Sequence, residues 1–155
     1  MATAKPLPEG QRCVTPHLVV RGAARAIDFY KEAFGAVEEF RLPGKDGLLM
    51  HAELRIGDSK VFLVDDFPEP HEEAIASPAQ LGSTTVTVHL FVPDVDATVA
   101  RAAAAGAKVT LPPTDMFWGD RYSRIRDPFG HSWSIATHVA DLTPEEIQKN
   151  MAAMG

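Results

Sequence analysis

Apolar and polar residues alternate along several short stretches of the chain, which predicts half-buried β-strands. Residues 50–56 show this most clearly: Met50, Ala52, Leu54 and Ile56 fall on one face, and His51, Glu53 and Arg55 on the other. A helix-like stretch follows the first strand and ends before Gly35, a residue suited to a left-handed helix C-cap. For the first half we predict strands at about 14–20, 37–42, 48–56 and 60–65, and a helix at about 24–34.

A repeat becomes visible when the chain is shifted by 72 residues. Residues 14–20 then align with residues 86–92, and five of the seven positions are identical. A second match, between residues 56–59 and 129–132, has an offset of 73, which implies one small insertion. For the second half we predict strands at about 85–92, 108–111, 121–127 and 132–138, and a helix at about 95–105 that is capped by Asp94 and followed by Gly106. Each half is therefore a βαβββ module, and the fold class is α+β.

The length of 155 residues fits one domain. The linker between the modules is rich in Pro, Glu and Ser and has no strand or helix pattern. Residues 143–146 have the order of an N-cap, a first-turn proline and a capping glutamate, which predicts a short terminal helix to about residue 153. The predicted segments are a tail (1–12), a first module (13–67), a linker (68–83), a second module (84–139) and a C-terminal helix (140–155).

Charge and composition argue against several classes of partner. The formal net charge is −6 and no basic stripe is visible, so we expect no nucleic-acid partner. The single cysteine, Cys13, excludes an internal disulfide and fits a reducing compartment. Residues 1–12 contain no apolar run, and no stretch reaches the roughly 18–20 apolar residues of a membrane span. We therefore expect a cytoplasmic protein that does not contact a membrane.

Three stretches carry a family resemblance: residues 26–35, residues 92–97 and the turn Asp127-Pro128-Phe129-Gly130-His131. They resemble the vicinal oxygen chelate superfamily, which includes glyoxalase I, bleomycin-resistance proteins, fosfomycin-resistance proteins and extradiol dioxygenases. The resemblance covers about residues 13–139. It implies paired βαβββ modules, curved mixed sheets around a cleft for a small molecule, and a homodimer. It does not imply one chemistry, because function depends on the site rather than the fold.

Strand alternation separates the side chains that pack under the helices from those that face the cavity. The first group contains Leu18 and Val20 with Val86, Val88, Leu90 and Val92. A shift of one residue in the register of a strand would exchange the buried and cavity-facing side chains along that strand. The side chains expected to face the cavity are Thr15, His17, Val19, His51, Glu53, Val61, Leu63, Asp65, Thr87, His89, Phe91, Tyr122, Arg124, Ser134, Ala136 and His138.

The metal enzymes that the chain resembles place a His or Glu on the first and last strand of each half. The matching positions here hold Thr15, Val61, Thr87 and Ser134, none of which is a strong ligand for a divalent ion. This departure argues against a glyoxalase-type metal site and favours no cofactor. The alternative is a displaced ligand set for Zn²⁺, Ni²⁺, Mn²⁺ or Fe²⁺, made of His17, His51, Glu53 and His89.

Aromatic and charged residues in the second half are candidates for ligand binding. Phe117, Trp118 and Tyr122 suit a flat, partly apolar ligand, although a core or dimer-seam role is equally open. Arg124 suits a carboxylate or phosphonate, or it pairs with Glu53 or Asp65. The sequence shows no histidine-acid arrangement around Ser134 for nucleophilic catalysis.

The leading hypothesis is a metal-independent protein of the bleomycin-resistance type that holds a drug or metabolite. Its ligand-binding residues are His17, His51, His89, Phe117, Trp118, Tyr122, Arg124 and Ser134. The alternative is a metal-dependent lyase, isomerase or dioxygenase with the displaced ligands. Separately, Glu53 is the candidate catalytic residue, as a general base. A third hypothesis is an interaction module whose cleft is covered in a dimer.

Overall fold

A computed structural model describes residues 4–67 and 76–155, which form two compact units, Met1–Ser83 and Thr84–Gly155. Most of the predicted linker, residues 68–75, lies outside the described residues. The part that is described contains a helical turn that the composition of the linker did not predict. The turn forms because Ser77 accepts a hydrogen bond from the Gln80 amide and Pro78 occupies the first helical position. The first unit contains β1 (His17–Val20), α1 (Ala23–Phe34), β2 (Val37–Pro43), β3 (Leu49–Ile56), β4 (Ser59–Asp65) and α2 (Pro78–Leu81).

The four strands of the first unit form one mixed sheet in the order β1-β4-β3-β2. β1 runs parallel to β4, and the other two pairs are antiparallel. Helix α1 packs on one face of this sheet and buries Ala26, Ile27 and Tyr30 completely. Gly35 adopts the left-handed conformation that ends α1. The other face carries the polar and aromatic positions of the strands.

Strand β4 faces the opposite way from the sequence prediction. Val61 and Leu63 are buried on the α1 side, and Phe62 pairs with His17 on the other face. The prediction of Val61, Leu63 and Asp65 as cavity residues was wrong. The physical reason is that residues 61–64 are all apolar, so alternation cannot tell the two faces of this strand apart.

The buried carboxylate of Asp65 holds the start of α1 in place by accepting backbone hydrogen bonds. One carboxylate oxygen accepts hydrogen bonds from the amides of Gly22 and Ala23, at 2.9 and 2.8 Å, and the other accepts from Leu49 at 2.8 Å. Gly22 has no side chain to cap the helix, so Asp65 supplies the missing acceptor from another strand. The carboxylate thereby joins α1, β3 and β4.

Met50 does not lie on the buried face of β3 with Ala52, Leu54 and Ile56, as the alternation predicted, because the strand has a bulge at this point. Leu42 pairs with His51 and Pro43 with Leu49, which leaves Met50 as an extra residue. Its side chain is exposed, while Ala52, the next even position, is buried as predicted. The bulge changes the side-chain alternation at this one point.

The second unit repeats the same architecture. Its sheet has the order β5-β8-β7-β6, with β5 parallel to β8 and the remaining pairs antiparallel. Val86, like Val14 in the first unit, precedes its strand and is exposed, so both predicted strands began too early. The elements are β5 (Thr87–Phe91), α3 (Val95–Ala104), β6 (Lys108–Asp115), β7 (Asp120–Arg126), β8 (Ser132–His138) and α4 (Pro144–Ala153).

Helix α3 packs on the sheet face that buries Ile125, Trp133 and Ile135. As predicted, the Asp94 side chain caps α3 by accepting from the Ala97 amide at 2.9 Å, and Gly106 follows the helix with a positive φ of 112°. The terminal helix α4 begins with the predicted capping box.

Strand β6 is longer than predicted because it continues through Pro112 and Pro113. β6 is the edge strand of its sheet, and register shifts interrupt its pairing on both sides of Leu111, so the missing proline amides break no regular ladder. Ser123 donates to the Leu111 carbonyl at this irregularity. Among the residues that the structure describes, no helix is long and apolar enough to cross a bilayer.

Candidate functional site

The face of the first sheet opposite α1 carries a group of rings, here called the first ring cluster: His17, Phe40, His51 and Phe62. The rings of His51 and Phe62 are closest, with centroids 4.8 Å apart, and both contact His17 edge-on. Strand register explains the grouping, since β1, β4 and β3 are neighbours and His17 lies opposite Phe62. Phe40 and Phe62 are members that the sequence reasoning missed. The repeat did not identify Phe62, because the offset of 73 at the preceding turn aligns Val61 with Ser134, whereas the strand register makes Phe62 the equivalent of Ser134.

Glu53 lies beside this cluster and is held by a basic side chain. Its carboxylate accepts from Lys60 at 3.2 Å and from Gln11 at 3.3 Å, and it lies 3.4 Å from His51 Nε2. Lys60 also bonds to Glu39, at 2.9 Å. Glu53 therefore belongs to an ion-pair network along the sheet, and its role as a catalytic base stays a prediction.

The surroundings of His17 favour the neutral form of its imidazole. Partial burial lowers the pKa of the His17 imidazole, and the neighbouring His51 lowers it further. A neutral imidazole offers one donor and one acceptor, so it can contact either kind of ligand group.

The second sheet carries a longer series of rings, here called the second ring cluster: Phe91, His89, Tyr122, Trp118 and Phe117. Successive centroids lie 4.6, 6.2, 5.4 and 5.0 Å apart in that order. The His89 and Tyr122 rings are nearly parallel, at 17°, and the other pairs meet edge to face. Each ring is exposed or half-buried, so the series presents aromatic surface to an incoming molecule.

A hydrogen bond holds the His89 ring of this cluster in place. His89 Nδ1 lies 2.6 Å from the hydroxyl of Ser134, its register partner on the adjacent strand β8. Ser134 is buried, and its bond orients the imidazole of His89. This contact agrees with the predicted facing of Ser134.

Arg124 joins the cluster through Tyr122. Its Nε donates to the Tyr122 hydroxyl at 2.9 Å, and the guanidinium carbon lies 5.8 Å from the centre of the Tyr122 ring. Glu53 and Asp65 have hydrogen-bond partners within the first unit, and the predicted pair of Arg124 with either carboxylate stays a prediction. No described carboxylate of the second unit pairs with Arg124.

The loop that carries Phe117 and Trp118 is held from two sides. Trp118 Nε1 donates to Asp120 at 3.0 Å, and Asn150 on α4 donates to the Phe117 carbonyl at 3.2 Å. His138 bonds to Asp120 through Nδ1 and to Asp141 through Nε2, both at 2.8 Å. Asp141 and then Asp120 raise the pKa of His138, which stabilises its protonated form.

The donor chemistry does not fit a glyoxalase-type metal. Within residues 4–67 and 76–155, no group of three or more His, Cys, Asp or Glu side chains is placed to hold an ion. Of the positions that the resemblance assigns to ligands, Val61 is buried under α1 and Ser134 is bonded to His89. In the displaced set, Glu53 already binds the Lys60 ammonium, whose charge would oppose a cation there.

A groove of about 530 Å³ runs along the edge strand β2 of the first unit. Its lining includes Lys31, Glu38 and Arg41, and Glu38 bonds to both cations at 2.7 Å. It shares only Phe40 with the first ring cluster. Because each charged group that lines it is already in an ion pair, we consider the ring clusters better candidates for a site.

Comparison with known proteins gives a consistent family. The sequence model of the Glyoxalase/Bleomycin resistance protein/Dioxygenase superfamily matches residues 12–135. Uncharacterized protein Mb0911c of Mycobacterium bovis is 50% identical over 142 residues, which cover 92% of this chain and 93% of that protein. Uncharacterized protein At5g48480 of Arabidopsis thaliana is 30% identical over 128 residues, which cover 77% of this chain and 74% of that protein. The crystal structure of TioX from Micromonospora sp. ML1 has 31% identity and a TM-score of 0.64, and the match covers 81% of this chain and 98% of TioX.

Proposed function

Because the chain belongs to the Glyoxalase/Bleomycin resistance protein/Dioxygenase superfamily, we propose that it binds a flat small molecule on the second ring cluster without a resident metal. The ligand is a drug or metabolite with an extended aromatic or conjugated surface.

The series of five partly exposed rings carries this proposal. A flat ligand gains both apolar burial and stacking when it lies against such rings, and each aromatic pair adds about 0.5–1.5 kcal/mol. Hydrogen bonds hold two rings of the series in place: His89 bonds to Ser134 and Trp118 to Asp120. A prepositioned surface loses little conformational freedom on binding, which favours affinity.

Metal independence is supported by the side chains at the family's ligand positions. Thr15, Val61, Thr87 and Ser134 offer no carboxylate, imidazole or thiolate. The alternative, a metal-dependent lyase, isomerase or dioxygenase, has one supporting observation, the proximity of His17, His51 and Glu53. The Lys60 ammonium on Glu53 opposes it.

Isothermal titration calorimetry with flat aromatic compounds of one to three fused rings tests the proposal on chelator-treated protein. We expect binding that is unchanged after treatment and weakened at least fivefold in Trp118→Ala, since a stacked aromatic contact is worth about 1 kcal/mol or more. Phe40→Ala is the matched control, because it removes an exposed ring from the first unit instead.

Three outcomes would count against the proposal. Absence of binding for every flat compound would refute it. An equal loss of affinity in Trp118→Ala and Phe40→Ala would show that binding does not depend specifically on the second ring cluster. About one equivalent of tightly bound metal by elemental analysis, with binding lost after its removal, would favour the metal-dependent alternative.

A further inference from the structure

The two repeats carry opposite charges at equivalent places on the sheet faces opposite their helices. In the first unit Glu53 pairs in register with Phe62, and in the second Arg124 pairs in register with Ser134. Phe62 and Ser134 are the respective register partners of His17 and His89, so Glu53 and Arg124 are equivalent. The repeat thus provides an internal comparison for the charge of the site.

The charge is neutralised in the first unit but not in the second. Glu53 is paired with Lys60 at 3.2 Å. Every aspartate of the second unit has a partner other than Arg124. These partners are Ala97 for Asp94, Arg121 for Asp96 and Asp115, Trp118 and His138 for Asp120, Trp133 for Asp127, and His138 for Asp141. Arg124 is therefore an exposed cation beside the second ring cluster that forms no ion pair with a described carboxylate of its own unit.

Tyr122 and Arg124 together offer several free donors. Arg124 uses Nε to donate to the Tyr122 hydroxyl, so Nη1 and Nη2 remain available. Tyr122 accepts that bond and keeps its own phenolic proton, for which the second unit supplies no described acceptor. A phenolic O–H and a guanidinium fork suit a planar oxyanion, because both can donate to its two oxygens.

We propose that Tyr122 and Arg124 form an anion subsite, and that the ligand of the second ring cluster is a flat aromatic compound bearing a carboxylate. This inference rests on the proposed function, since the rings must bind the flat part of the ligand. Its carboxylate accepts from Tyr122 and Arg124 while its ring system stacks on the adjacent aromatic side chains. The first unit, with Glu53 in the equivalent place, lacks this preference.

A matched pair of probes isolates the charge: 2-naphthoate and 2-naphthamide have the same ring system and differ in the charge of one planar group. We expect calorimetry to show about tenfold tighter binding of 2-naphthoate, the effect of a partly exposed charged hydrogen bond. The formal net charge of −6 would by itself favour the neutral probe, so the preference must be local.

Variants then locate the subsite. Arg124→Gln should weaken 2-naphthoate about tenfold and leave 2-naphthamide within about twofold, and Tyr122→Phe should reduce the preference severalfold while retaining the ring. Arg101→Gln is the charge-matched control, because Arg101 lies on α3, where its guanidinium donates to Thr98. Circular dichroism verifies that each variant is folded.

The outcomes separate the two proposals. Equal affinity for the two probes, or an equal loss of both in Arg124→Gln, would overturn the anion subsite and leave flat-ligand binding intact. The same loss in Arg101→Gln would attribute the effect to net charge and also overturn the subsite. If neither probe binds, both the subsite and the proposed binding function fail.

Discussion

His89 Nδ1 and the Ser134 hydroxyl lie 2.6 Å apart, and this bond joins the parallel strands β5 and β8 within the second ring cluster. The equivalent pair in the first unit, His17 and Phe62, is an edge-on ring contact with centroids 5.9 Å apart. The equivalent histidines of the two repeats are therefore oriented differently: His17 by a ring contact and His89 by a hydrogen bond. In the second unit the small serine leaves the histidine ring as the exposed surface.

Ser134→Ala removes the acceptor or donor that orients His89. We expect the free energy of unfolding to fall by about 1 kcal/mol, the usual net value of one hydrogen bond. The affinity for a flat aromatic probe should fall severalfold, because the imidazole ring becomes free to rotate. Chemical denaturation and calorimetry measure the two effects. Ser132→Ala, two residues earlier on the same strand, is the control. Unchanged affinity in Ser134→Ala would show that His89 orientation does not matter for binding.

Asp65→Ala should destabilise the first unit. The buried carboxylate accepts three backbone amides, from Gly22, Ala23 and Leu49, and their loss leaves these donors unsatisfied at the start of α1. We expect a loss of about 3 kcal/mol in the free energy of unfolding, measured by denaturant titration. Asp28→Ala, on the exposed side of α1, should change it by less than about 0.5 kcal/mol. A similar change in the free energy of unfolding for the two variants would show that Asp65 does not stabilise the start of α1.

The turn between β7 and β8 gives a second stability prediction. Asp127 is buried and accepts from the amides of Phe129 and His131 and from the indole of Trp133, each at 2.9 Å. Asp127→Ala should lower the free energy of unfolding by about 3 kcal/mol and expose Trp133, which intrinsic fluorescence reports. Asp58→Ala is the matched control in the corresponding turn of the first unit, where the side chain is exposed. A stable Asp127→Ala protein with an unshifted Trp133 emission would refute this account.

His138 should titrate above the ordinary histidine range. Asp141 and Asp120 raise its pKa, so its stabilising contribution is fully present below pH 6.5 and is lost as the pH rises through the folded-state pKa. Proton NMR of the imidazole should show this raised pKa in the native chain. In Asp141→Asn the pKa should move down toward 6.5. Because the pair is exposed, about 0.5 M NaCl should also lower it. A pKa that is unaffected by Asp141→Asn would show that this ion pair does not form in solution.

Several elements could be predicted because their local signals agree. The repeat at an offset of 72 predicted two modules with the same element order, and Gly35, Asp94 and Thr143 marked helix ends that the structure confirms. On β8, residues 132–135 alternate between serine and large apolar side chains, so the predicted facing of Ser134 agrees with the structure. Local chemistry was sufficient where polar and apolar positions differ clearly.

The sequence by itself determined the βαβββ repeat, the family and which halves carry the histidines and aromatic residues. Only the tertiary structure decided which residues meet. The facing of β4 depends on pairing with β1, more than 40 residues away, because both of its faces are apolar. The Arg124–Tyr122 contact and the ring series likewise depend on the register of β5, β7 and β8. Alternation along one strand cannot specify that register, since it is set by hydrogen bonds between strands distant in the chain.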